Sequence, residues 1–73
     1  MATYTALLFS PDRPSGLRVP FETQWQAIAC AKRAVEDRRA TFANAIRKDR
    51  LGRITYVWHG DVNTVPARVV RAA

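Results

Sequence analysis

The segment Thr23–Arg39, TQWQAIACAKRAVEDRR, constrains this chain more than any other, because its apolar residues repeat with the period of a helix. Ala27, Ile28, Ala31, Ala34 and Val35 fall on one stripe that is narrow and mostly alanine. Thr23 and Gln26 have the T-x-x-Q spacing of a capping box, in which each side chain satisfies a backbone N–H left free by the first helical turn. One helix with one apolar stripe cannot enclose a core alone. The segments before and after it must supply strands for that stripe to cover.

Those segments read accordingly. Thr3–Phe9, TYTALLF, is rich in β-formers, and its apolarity suggests a central strand. Ser10–Gly16, SPDRPSG, has turn chemistry, so Leu17–Phe21 should return antiparallel with Leu17, Val19 and Phe21 inward and Arg18 outward. Pro20 cannot donate to a ladder, which makes this an edge strand or one with its N–H side free. Beyond Arg39 two readings stand. The helix could run on to Gly52, but at about 28 residues it would be long for so small a domain. The preferred reading makes Thr41–Lys48 a strand that turns at Asp49–Gly52, with Gly52 left-handed in a three-residue loop, and pairs with Arg53–His59. That register places Phe42, Ile46, Ile54, Tyr56 and Trp58 on one face. Gly60, Asp61 and Asn63 turn the chain again. Val65–Val70 carries Pro66, so it serves as an edge strand or an ordered tail, and Arg71–Ala73 should fray. The expected fold is α+β: one domain over residues 1–73, a ββαββ(β) antiparallel sheet packed on one helix.

A chain of 73 residues buries only about 60% of its unfolded surface, and Cys30, the only cysteine, rules out an intrachain disulfide. Cys30 lies near the apolar stripe and reads as a small hydrophobe. Without disulfides or a secretory signal, the chain is expected in the cytoplasm. Ala6–Phe9 is too short to span a membrane. The net charge of +6 and pI near 10.8 favour acidic partners: nucleic acid, an acidic protein surface or anionic lipid. Ten of the twelve bases are arginine. This suits bidentate contact with phosphate or carboxylate, although a GC-rich genome produces the same bias.

Catalytic constellations are absent from the sequence. His59 is the only histidine and Cys30 lies in another element, so neither a metal cluster nor a Cys–His pair is implied. The glycines match no phosphate-binding or dinucleotide motif. No enzyme activity, metal or cofactor is expected. Charge is more informative. Residues 38–53 carry Arg38, Arg39, Arg47, Lys48, Arg50 and Arg53 against Asp49 alone, a local +5, while the rest of the chain sums to +1. With Tyr56 and Trp58 one strand away, these residues form the expected partner-binding surface. Such a mixture suits single-stranded nucleic acid or an acidic protein groove, although turns are also where solvated charge costs least. The outer helix face should be near neutral, with Lys32–Glu36 and Arg33–Asp37 at i,i+4 spacing and Arg38 and Arg39 in the last turn. Trp25 reads as a lid on the core rim. A DNA-recognition helix is not evident, and an RNA-recognition sheet would need aromatics on its central strands.

In size, charge and the order TYTALLF, GLRVPFET, QWQAIACAKRAVEDRR, TFANAIRKDRLGRITYVWHG, VPARVV, the chain resembles the small phage-encoded anti-CRISPR proteins, most of all inhibitors of type I surveillance complexes (Cascade). The resemblance implies a non-enzymatic inhibitor in the bacterial host cytoplasm. It would bind Cas subunits and block target-DNA binding or nuclease recruitment. The family has no diagnostic motif, so no residue role transfers. A basic member would dock on acidic protein surface or compete near the guide and target strands. The alternative is a small basic nucleic-acid-binding accessory domain. A monomer is expected, self-association through an edge strand being a third possibility.

Overall fold

Residues 2–68 are described by the computed structural model, in which five elements follow the chain. They are β1 (Thr3–Ser10), β2 (Arg13–Phe21), α1 (Gln24–Glu36), β3 (Phe42–Lys48) and β4 (Ile54–Asp61). The strands form one antiparallel sheet in the order β2-β1-β3-β4, with α1 across one face. The apolar β1 is central, as its composition required, and Pro20 lies on the edge strand β2. Residues 41–59 form the hairpin and not a continued helix. Within Val65–Val70, residues 65–68 form no strand, and 69–70 and the expected frayed end lie outside the described residues.

The core is built from alanine. Ala27, Ala31 and Ala34 of α1 are fully buried, as are Ala6, Ala43 and Ala45 of the sheet. Methyl groups on both sides let the helix lie close to the strands. Larger side chains close the flanks: Leu8, Val19, Phe21 and Trp58 pack against the central cluster, and Val35 is its largest fully buried side chain. Val65, downstream of β4, plugs the remaining opening. Asp61 directs the chain there. Its Oδ1 accepts from the N–H groups of Asn63 and Thr64 at 2.8 and 2.9 Å, and these bonds hold its carboxyl below the usual range.

Thr23 caps the helix as expected, its Oγ1 accepting from the Gln26 N–H at 3.4 Å. The C-terminal end differs from the expected Arg39: α1 stops at Glu36, with Asp37 as its cap. Arg38 takes a left-handed backbone, φ 58°, which turns the chain toward β3 without a glycine. Its guanidinium compensates by donating to three backbone carbonyls, Val35 O and Val65 O at 3.0 Å and Val62 O at 3.5 Å. Neither expected i,i+4 ion pair forms. Asp37 lies outside the helix and instead meets Arg68 at 3.3 Å and Arg39 at 3.9 Å. Trp25 is 68% exposed and does not cover the core.

The β1–β2 connection is tighter than expected. Only Pro11 and Asp12 turn, and β2 begins at Arg13, opposite Ser10. Gly16 makes this possible: at φ 83° it takes up the register shift between Leu8 and Ser10, and the Phe9 ring lies where a side chain would stand. Leu17, expected inward, is 41% exposed at the rim.

One facial assignment reverses. Ala45 pairs with Trp58 and Ile46 with Tyr56, so Val57 is an extra residue in β4. This bulge flips the alternation, sending Tyr56 to the open face and Trp58 to the helix face. The indole there covers Gly60, where a methyl group would collide with both the ring and Val65.

Two stability predictions test this packing. Ala31→Leu should wedge the helix from the sheet and cost about 2–3 kcal/mol, a fall in Tm of roughly 10 °C or more, while Ala29→Leu on the exposed side should change little. Arg38→Ala should cost about 2 kcal/mol, through lost charge-assisted hydrogen bonds and retained backbone strain. Arg38→Gly should cost about 1 kcal/mol less, because glycine relieves that strain. Urea denaturation of the two variants checks the order, and equal losses would show that the left-handed backbone carries no cost.

Candidate partner-binding surface

The hairpin between β3 and β4 is organised by Asp49. Its Oδ1 accepts from the N–H groups of Leu51 and Arg53, both at 2.9 Å, while its backbone N–H donates to Arg53 O at 3.0 Å. Gly52, at φ 83°, completes the three-residue loop Arg50-Leu51-Gly52. Arg53 Nε lies 3.5 Å from the same carboxylate. The one acid of the tip is therefore engaged in holding the turn, and Arg47, Lys48, Arg50 and Arg53 are all exposed around it. Leu51, 74% exposed, gives the tip an apolar point.

Arg38 and Arg39 do not join this group. They precede β3, whereas Arg47 and Lys48 end it and Arg50 and Arg53 follow it, so the length of the strand separates the two sets by about 20 Å. The continuous +5 of the sequence is two basic ends of one sheet. Arg38 is occupied by backbone carbonyls. Arg39 instead lines a shallow groove of about 220 Å³ with Phe9, Asp12 and Arg13, among others.

Tyr56 and Trp58 also part company. Trp58 is half-buried in the core, whereas Tyr56 is 67% exposed on the open sheet face. That face runs in rows set by register: Phe9 and Phe42 beside Asp61; Arg18, Leu7, Asn44 and His59; Thr5, Ile46 and Tyr56; and Thr3, Lys48 and Ile54. Phe9 and Phe42 stack, with centroids 4.6 Å apart and planes 11° from parallel. The aromatics missing from the sequence pattern of an RNA-recognition sheet thus lie on the two central strands. Only the pairing of β1 with β3, 33 positions apart, brings them together. Asn44 Oδ1 and His59 Nδ1 are hydrogen-bonded on the same face.

Among the described residues no three His, Cys, Asp or Glu side chains gather where they could hold a metal ion, and no helix is long and apolar enough to cross a membrane. Cys30 is partly buried against the core. Burial pushes its thiol up, and the positive charge of Arg39 opposes that shift. Alkylation of native protein by iodoacetamide should therefore accelerate with pH through a midpoint above the ordinary thiol range, read by mass spectrometry. A midpoint below that range would mark an activated thiolate.

Comparison with known proteins found no matching family model, no similar curated protein and no similar solved structure.

Proposed function

We propose that this chain is a non-enzymatic inhibitor of a type I CRISPR surveillance complex, Cascade, docking the basic β3–β4 tip on an acidic Cas protein surface. Docking there would block target-DNA binding or nuclease recruitment. The observation that carries the reading is the tip itself: four exposed cations stand at one end of the sheet, and the one carboxylate there is occupied in holding the turn. The resemblance in size, element order and charge supplies the target. Arginine at three of the four positions favours bidentate contact with carboxylates, and exposed charge of one sign speeds encounter with an acidic patch. Tyr56 on the adjacent open face adds apolar area beside the charge.

The test is co-purification of the tagged chain with Cascade, together with phage survival in a host that carries the system. Arg47→Glu, Arg50→Glu and Arg53→Glu combined should leave folding intact and weaken complex binding on the order of a hundredfold, restoring interference. Unchanged binding and interference would remove the tip from the contact. A gel shift with duplex DNA at two salt concentrations should show no substantial free-DNA affinity. Strong binding that falls steeply with salt would favour the accessory nucleic-acid-binding domain instead.

A further inference from the structure

We infer that the open sheet face is a binding site for single-stranded nucleic acid, one that shares Lys48, Arg50 and Arg53 with the hairpin tip. The face carries large side chains that packing does not require. Tyr56, Ile54 and Phe42 are 67%, 56% and 40% exposed, and the Phe9–Phe42 stack stands on the two central strands. Four-stranded sheets with exposed aromatics on central strands stack two or three unpaired bases, because every base has a π-face to offer. In the row between Phe42 and Tyr56, the Asn44–His59 pair leaves the Asn44 amide N–H groups and His59 Nε2 for other partners.

Charge selects the occupant. Arg18 and Lys48 lie on the face itself, Arg13 and Arg39 border Phe9 at one end, and Arg50 and Arg53 stand beyond the other. Cations at both ends of an aromatic strip match a chain of phosphates whose bases lie flat between them. The acids near these cations are each engaged: Asp61 is tied into the turn that follows β4, Asp12 in the groove beside Arg13 and Arg39 accepts from Ser10 Oγ, and Asp49 holds the hairpin turn. Area argues against a second copy of this chain. Four strands at ~4.8 Å spacing and ~20 Å length give roughly 400 Å², about half of what each partner of a stable dimer buries.

Fluorescence anisotropy of the full chain with labelled ten-nucleotide probes tests the site. The probes are oligouridylate, oligothymidylate and a ten-base-pair duplex. Micromolar binding of the single strands at low salt is expected, at least tenfold tighter than binding of the duplex. Tyr56→Leu and Phe42→Leu keep apolar bulk and lose the π-face, and each should weaken single-strand binding about 5- to 100-fold while leaving duplex binding unchanged. The uridylate and thymidylate arms separate RNA from DNA. Circular dichroism verifies that the leucine variants are folded. Charge reversal of Arg50 and Arg53 should reduce salt dependence yet retain the single-strand preference, so failure of the tip reading and failure of this one are distinguishable. Equal affinity for duplex and single strand, or folded leucine variants that bind like the parent chain, would overturn the inference. So would a concentration-dependent dimer abolished by Tyr56→Leu, which would assign the face to a second copy.

Discussion

Everything in this fold depends on alanine meeting alanine. Ala31 and Ala34 of the helix share one buried cluster with Ala6 and Ala43 of the central strands, and Val35 is the only fully buried side chain there larger than alanine. Close approach buries backbone and methyl surface well, but each methyl contributes little, since hydrophobic gain follows area. A core of this kind is held at its margins. Phe21, Val19 and Leu8 close one side, Trp58 and Val65 the other, and the segment after β4 must return for Val65 to reach its place. Arg38 ties that return to the end of the helix, bonding carbonyls of Val35, Val62 and Val65 with one guanidinium. Arg68 repeats the connection through the Glu36 carbonyl and Asp37. Helix termination and closure of the core are therefore one structural event.

A thin core has a second consequence. With alanine beneath the helix, much of the chain's large apolar surface is placed on the other side of the sheet. An antiparallel sheet with one solvated face ordinarily alternates apolar and polar residues. Here the solvated face holds Leu7, Phe9, Phe42, Ile46, Ile54 and Tyr56. The bulge at Val57 keeps both arrangements in one strand by giving Trp58 to the core and Tyr56 to solvent. A regular β4 would send both to the same face, either stripping the core of its largest flank or covering Tyr56.

The parts of this structure legible in the sequence are those that local chemistry determines. Thr23 announces the start of the helix, and Asp49 with Gly52 announces the hairpin, because caps and turns are settled within a few residues. The end of the helix was hidden, because a left-handed arginine leaves no glycine to mark it; what stabilises Arg38 is a segment more than twenty positions away. The bulge at Val57 was hidden because β-alternation is read by parity, and an inserted residue reverses parity without changing composition. The layout of the candidate surface was hidden for the same reason. Arg38 and Arg53 belong to one basic run in sequence, but a strand between them carries its two ends apart. Phe9 and Phe42 are far apart in sequence and adjacent in space.

The separation of charge into two ends also bears on what kind of partner can use all of it. A compact acidic knob resting on the β3–β4 tip engages Arg47, Lys48, Arg50 and Arg53 and leaves Arg13, Arg18 and Arg39 in solvent. A flexible polyanion laid along the sheet reaches cations at both ends and crosses the aromatic residues between them. Each phosphate it neutralises adds to the salt dependence, by about 0.7 per phosphate for a single strand. The slope therefore counts how many cations the partner touches, and with it whether one end of the sheet is engaged or both. A slope that counts only the tip's cations would fit a globular acidic partner, and one that counts both ends would fit an extended chain lying across the aromatic face.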